Sequence, residues 1–146
     1  MFYLVATLVI LLMDQGTKFF VTREMQLQES IPVIPNIFHI TYIHNPGAAF
    51  GLFAYQTFFF IIVTLILIVV ILYFYRRIPN GYRLLKLGLS FQLGGATGNL
   101  LDRLRNGYVV DFLDFRVWPV FNVADMAVVI GMFLIIYELW KREVIR

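Results

Sequence analysis

The sequence predicts an all-α membrane protein, a four-transmembrane-helix bundle with a small extracytoplasmic β platform and loop. Three observations lead there. Of the 146 residues, 60% are hydrophobic and only 14% charged, where a soluble domain carries about 25% charged residues. Four segments approach the roughly 20 apolar residues that a helix needs to cross a hydrocarbon core of about 30 Å. Between the first two of them lies an alternating run, the period of a strand rather than a helix. A chain of this length builds one compact bundle with little left for a separate soluble domain, so residues 1–146 are expected to form a single integral-membrane domain.

The first span is expected at about 2–21, interrupted by Asp14 and Lys18. It lacks the basic start and the small-residue cleavage site of a secretory signal, and reads as a retained helix. The segment 22–56 follows as an extracytoplasmic connection. It contains Phe38-His39-Ile40-Thr41-Tyr42-Ile43-His44, which reads as a strand, and then the turn signal Asn45-Pro46-Gly47. The second span, 57–75, has no charge at all ("TFFFIIVTLILIVVILYFY") and ends on the short basic turn "RRIPNGYR". The third, 84–101, is rich in small residues. Ser90, Gly94 and Gly98 recur every four positions, the pattern of a close helix–helix contact in a membrane. A second outer segment, 102–120, leads to the fourth span at 121–140 and the tail "KREVIR".

Charge orients the bundle. Arg76, Arg77, Arg83, Lys86, Lys141, Arg142 and Arg146 fall on one side, against Arg23, Arg103, Arg105 and Arg116 on the other. The excess of basic residues on the cytoplasmic side then places both termini in the cytoplasm. The net charge of +3 reports this topology rather than a nucleic-acid partner. The chain has no cysteine, which excludes disulfides, thiolate nucleophiles and Cys-ligated metal. His39 and His44 have no acidic neighbours in sequence, so no metal site is expected of them.

A helical rise of about 1.5 Å per residue turns position into depth. Asp125 lies about 24 Å from Lys141 along the fourth span, and Asn122 shares its face one turn further out. Asp102 lies about 28 Å up the third span from Arg83, and Asp14 and Lys18 about 20 and 26 Å from the N-terminus. Asp111 falls in the loop joining spans three and four. These polar groups converge near the outer boundary; a carboxylate at the centre of a membrane helix costs about 2.5–3.5 kcal/mol, so acids within spans demand a partner or a task. Structural readings stand beside functional ones. Asp14 and Lys18 have i,i+4 spacing and can form an ion pair. Asp102 and Arg103 can pair and anchor the loop, Asn99 can bridge helices, and Asp114 can be a wet loop residue. If Asp111 folds back onto Asp125 in a half-dry site, the two share a proton, as aspartic peptidase chemistry requires. Two other readings remain open at this point, a small proton- or ion-coupled transporter and a non-enzymatic assembly factor.

The motifs "DQGTK" (Asp14 to Lys18), "HNPGAAFG" (His44 to Gly51), "GGATGNLLDRLRNGYVVDFLDF" (Gly94 to Phe115) and "FNVADMAVVIG" (Phe121 to Gly131) occur in one order over essentially the whole chain. In them the chain resembles the lipoprotein signal peptidase (signal peptidase II) family of bacterial membrane aspartyl endopeptidases, although its loop between residues 111 and 125 is brief. The resemblance implies a diacylglyceryl-modified prolipoprotein as substrate, cleaved just before the lipidated cysteine, with membrane lipid as the other partner, the protein a monomer, and neither metal nor organic cofactor. It implies that Asp111 and Asp125 are the catalytic dyad. Asn45, Asn99, Arg103 and Asn122 match positions that line the site or bind substrate, and Asp14 and Lys18 match a supporting pair. Asp102 and Asp114 are secondary to the dyad on this reading.

Overall fold

The computed structural model describes residues 2–47, 55–79 and 81–144. Residues 48–51 of "HNPGAAFG" and Arg146 of the expected cytoplasmic basic set lie outside the described residues. The elements run α1 (Phe2–Glu24), β1 (Ser30–Ile34), β2 (Phe38–Asn45), α2 (Thr57–Tyr75), α3 (Arg83–Asn106), β3 (Val109–Asp114) and α4 (Val123–Val144).

Among the described residues, three helices, α1, α2 and α4, are long and apolar enough to cross a membrane. The fourth expected span falls on α3, which is not among them. α3 is as long, at 24 residues, but carries Lys86, Asn99, Asp102 and Arg103. It is the central helix, with α4 and α1 packed closely on it and α2 more loosely. Its polar groups Lys86, Ser90 and Asp102 are buried inside the bundle. α2 shows the opposite pattern. Only Ile71 is buried, and residues such as Phe58 and Val69 are exposed on its surface, as apolar side chains facing acyl chains would be.

Small residues bring the helix backbones together. The Thr7 hydroxyl of α1 donates to the Ser90 carbonyl at 3.1 Å, and a Cβ on Gly94 would lie 2.8 Å from the Thr7 carbonyl oxygen. On the other side of α3, Gly88 faces Gly131 of α4. A Cβ on either would come within 2.5 Å of the other's carbonyl oxygen. Gly95 packs equally tightly on the Ala124 carbonyl. With no hydrophobic drive between helices in lipid, this close backbone approach supplies the packing.

The fold is mostly helical rather than all-α, because a three-stranded antiparallel sheet in the order β1-β2-β3 caps one end. The alternating run at 38–44 is β2. Its neighbours did not announce themselves: β1 carries Pro32, which cannot donate to a ladder and signals an edge. β3, "VVDFLD", does not alternate, since nearly every side chain in it is buried. Asp111 and Asp114 therefore sit on a strand, not in a loop as expected. After β3 the chain turns through Arg116, at φ 65°, and returns. Phe121 then pairs with Leu113, N–H to carbonyl in both directions at 2.8 and 3.1 Å. That bridge delivers the start of α4 to the side of Asp111.

Candidate active site

The segment Asn122–Asp125 builds its own frame. Asn122 precedes the first turn of α4, and its Oδ1 accepts the Asp125 N–H at 2.9 Å, while Asp125 Oδ2 accepts the Asn122 N–H at 3.2 Å. This is a reciprocal capping box with Asn and Asp in place of Ser and Glu, so the unpaired N–H groups of a helix start fix where the Asp125 carboxylate points. Asn122 is fully buried and its amide donates to Asp111 Oδ1 at 2.7 Å. One residue thus touches both acids.

The second oxygen of Asp111 accepts from Asn45 Nδ2 at 2.8 Å. Asn45 ends β2, and its own Oδ1 accepts the Gly47 N–H at 3.0 Å, which sets the amide with its NH2 toward the acid. Asn99 of α3 donates to Asp125 Oδ1 at 2.8 Å. Its carbonyl is occupied by Lys18 Nζ at 2.9 Å and Asn122 Nδ2 at 3.1 Å. All three amides are therefore oriented by what their carbonyls accept, and each presents hydrogens to a carboxylate.

Asp111 is only 1% exposed. Burial, then the neighbouring Asp125 charge, pushes its carboxyl up to about 7, against the opposing pull of Asn45, Asn122 and Lys18. Asp111 and Asp125 line one cleft of about 350 Å3 together with Asn45, Asn99 and Arg103. The Arg103 guanidinium donates to the Gly47 carbonyl at 3.1 Å, stands 4.8 Å from the Phe60 ring centroid, and feels the charges of both acids. An adjoining apolar cleft of about 530 Å3, lined by Phe115, Trp118, Phe121, Met126 and Ile130, also reaches Asp125.

Six of the eight residues singled out in the sequence, Asp111, Asp125, Asn45, Asn99, Arg103 and Asn122, thus meet at one place. Asp14 and Lys18 stand behind them, paired at 2.9 Å, and do not line the cleft. Two expectations need correction. Asp102 pairs with Lys18 at 2.9 Å rather than with Arg103, because the i,i+1 neighbours of a helix point apart. Asp114 is not a wet loop residue. It is 5% exposed, accepts from the Thr41 hydroxyl at 2.8 Å, and holds the Arg116 N–H and guanidinium at 2.8 and 2.9 Å. Burial raises its carboxyl, but these donors outweigh it and hold the group below the usual range. Gln15 was missed. Its Nε2 joins Asp14 Oδ2 and Asp102 Oδ1 at 3.1 and 3.0 Å, and its place beside Asp14 in "DQGTK" was the available signal.

Two carboxylates facing one cleft, one of them poised near neutrality, on a helical membrane scaffold define a class: membrane-embedded acid–base hydrolases of the aspartic type. The family model for Signal peptidase (SPase) II matches residues 6–141, and the chain belongs to that family. It is 52% identical over 137 residues to the lipoprotein signal peptidase of Moorella thermoacetica, covering 94% of this chain and 91% of that one. It is 47% identical over 139 residues to that of Halothermothrix orenii, covering 95% of each. A solved structure described as a bacterial membrane enzyme superposes with a TM-score of 0.90 at 34% identity, covering 95% of this chain and 87% of that one. The protein is an aspartic-type peptidase of the membrane. These relatives give no support to the transporter reading.

Proposed function

We propose that the protein removes the signal peptide from diacylglyceryl-modified prolipoproteins, cleaving before the lipidated cysteine with Asp111, Asp125 and a water molecule. The observation that carries this reading is the meeting of the two acids, from β3 and α4, in one cleft with their outer edges held by Asn45, Asn99 and Asn122. The pair shares one proton. The ionised carboxylate takes a proton from water as it attacks the scissile carbonyl, and the protonated partner gives its proton to the carbonyl oxygen. Collapse of the tetrahedral intermediate returns a proton to the leaving amine, which stays attached to the lipidated cysteine.

The remaining assignments follow from that chemistry. Arg103, at the cleft with its guanidinium near both acids, binds substrate backbone. The apolar cleft beside Asp125 takes acyl chain, so a lipidated cysteine is anchored with its scissile bond at the dyad. Asp14 and Lys18 support the site from behind. α3 is the fourth membrane crossing: 24 residues span about 36 Å, and its polar groups turn inward rather than to lipid. Residues 1–146 act as one integral-membrane peptidase domain and as a monomer, with no metal or organic cofactor. Both termini lie in the cytoplasm and the dyad at the outer face, with the β platform over it; the basic residues Arg76, Arg77, Lys141 and Arg142 at the end remote from the dyad support this orientation.

Asp111→Asn and Asp125→Asn, each purified in detergent, are expected to lose cleavage of a lipidated precursor by at least about a thousandfold while keeping native gel-filtration behaviour. Native-like turnover in either variant would overturn the dyad.

A further inference from the structure

Lys18 lies on α1 with 3% of its surface exposed, and each of its three ammonium hydrogens has an acceptor. These are Asp14 Oδ2, Asp102 Oδ2 and Asn99 Oδ1, all at 2.9 Å. What the two carboxylates hold in turn is specific. Asp14 Oδ1 accepts the backbone N–H of Ala124 at 3.0 Å, and Asp102 Oδ2 accepts that of Val110 at 3.1 Å. Ala124 immediately precedes Asp125, and Val110 immediately precedes Asp111. The third acceptor, Asn99, presents its amide to Asp125 because its carbonyl is turned to Lys18.

The surroundings serve the same geometry. Gly98 leaves room for Asp14 against α3, since a Cβ there would overlap the Asp14 carboxylate. Gln15 ties Asp14 to Asp102 across the ammonium. An ion pair between Asp14 and Lys18 alone would satisfy the buried charge without any of this. It would not require that both carboxylates grip the chain one residue before an acid of the dyad.

We infer that Lys18 is the positioning residue of the dyad: one buried ammonium holds, through Asp14 and Asp102, the two backbone segments that carry Asp125 and Asp111, and through Asn99 the Asp125 carboxylate itself. The inference rests on the dyad reading above. Its consequence is that the relation between the acids is set from behind the cleft, by a group that touches neither substrate nor water at the reaction centre.

The test separates positioning from folding. Lys18→Met leaves two buried carboxylates without their cation and is expected to fold poorly. The double variant K18M/D102N lessens this: one cation against two carboxylates becomes one carboxylate, Asp14, alone, so the cluster keeps its net single negative charge. This variant, the native protein and Asp111→Asn are compared in detergent for kcat, KM and Tm on a lipidated precursor peptide. The expected result is a native-like elution profile, KM within about threefold of native, and kcat lower by about a hundredfold, the scale of a misplacement near 1 Å. A kcat within threefold of native, or a loss that only tracks the loss of folded protein, overturns the inference. If the double variant does not fold, Lys18→Arg carries the same test, because its flat guanidinium keeps the charge but not the tetrahedral set of donors. A fall in kcat at unchanged KM supports positioning, and native kcat overturns it. Activity in Asp111→Asn would instead sink the dyad reading itself.

Discussion

At Asp111 the site's chemistry follows from burial. A carboxyl that is 1% exposed and faces a second acid releases its proton only at about 7. On the proposed dyad mechanism, the shared proton that general acid catalysis needs is therefore present below that pH and stripped above it. Cleavage of the lipidated precursor is expected to fall about tenfold per pH unit on the alkaline side of the pair's apparent pKa, as a kcat/KM profile in detergent would read. A profile flat from pH 6 to 9 would contradict it. Asp114, three positions on, shows how much depends on neighbours. On the same strand and also buried, it is held ionised by Thr41 and Arg116 and so has no proton to give. Sequence spacing could not separate the two acids: Arg116 is local to Asp114, but the Thr41 hydroxyl that helps to hold Asp114 down and the Asp125 charge that helps to push Asp111 up come from other elements.

Among the elements, α3 sets the tolerances. Gly88 and Gly95 both let α4 approach at backbone distance, so an added methyl at either must push the helices apart. Gly88→Ala and Gly95→Ala are each expected to destabilise by about 1–3 kcal/mol, read as a lowered Tm in detergent. Their effects on activity should differ. Gly95 packs on Ala124, next to Asp125, whereas Gly88 lies against Gly131 nearly two turns further along α4. At matched loss of Tm, Gly95→Ala should lose the larger share of kcat, and equal losses would refute that. The small-residue spacing that marks the α1-facing side of α3 was readable, since Ser90, Gly94 and Gly98 follow a fixed period. The strands were readable only in part. β2 shows its period in the residue types alone, since its side chains are half-buried along nearly the whole strand, whereas β1 carries proline on an open edge and β3 is buried on both faces.

For the molecule as a whole, the proposed lipidated substrate is matched by an apolar cleft that reaches Asp125. The apolar channel of about 530 Å3 opens beside Asp125 rather than at a distance from it. Each buried methylene contributes about 0.8 kcal/mol, so even a few acyl carbons seated there outweigh a hydrogen bond. A precursor lacking the diacylglyceryl group is expected to be cleaved at least about a hundredfold less efficiently, as kcat/KM on paired synthetic substrates would show. Equal turnover would mean that the channel does not read the lipid.

Membrane character and the apolar segments were already legible in the residues, because apolar length is a property of a chain taken in order. So were the acids themselves, once their motifs were recognised. The partnerships were not. That Lys18 answers Asp102 rather than leaving it to Arg103, that Asp111 stands on a strand, and that Asn122 touches both acids depend on contacts between α1, α3, β3 and α4. Such contacts join residues as many as 110 positions apart. No local pattern encodes them, since they exist only after the Phe121–Leu113 bridge and the glycine faces of α3 have brought those backbones together.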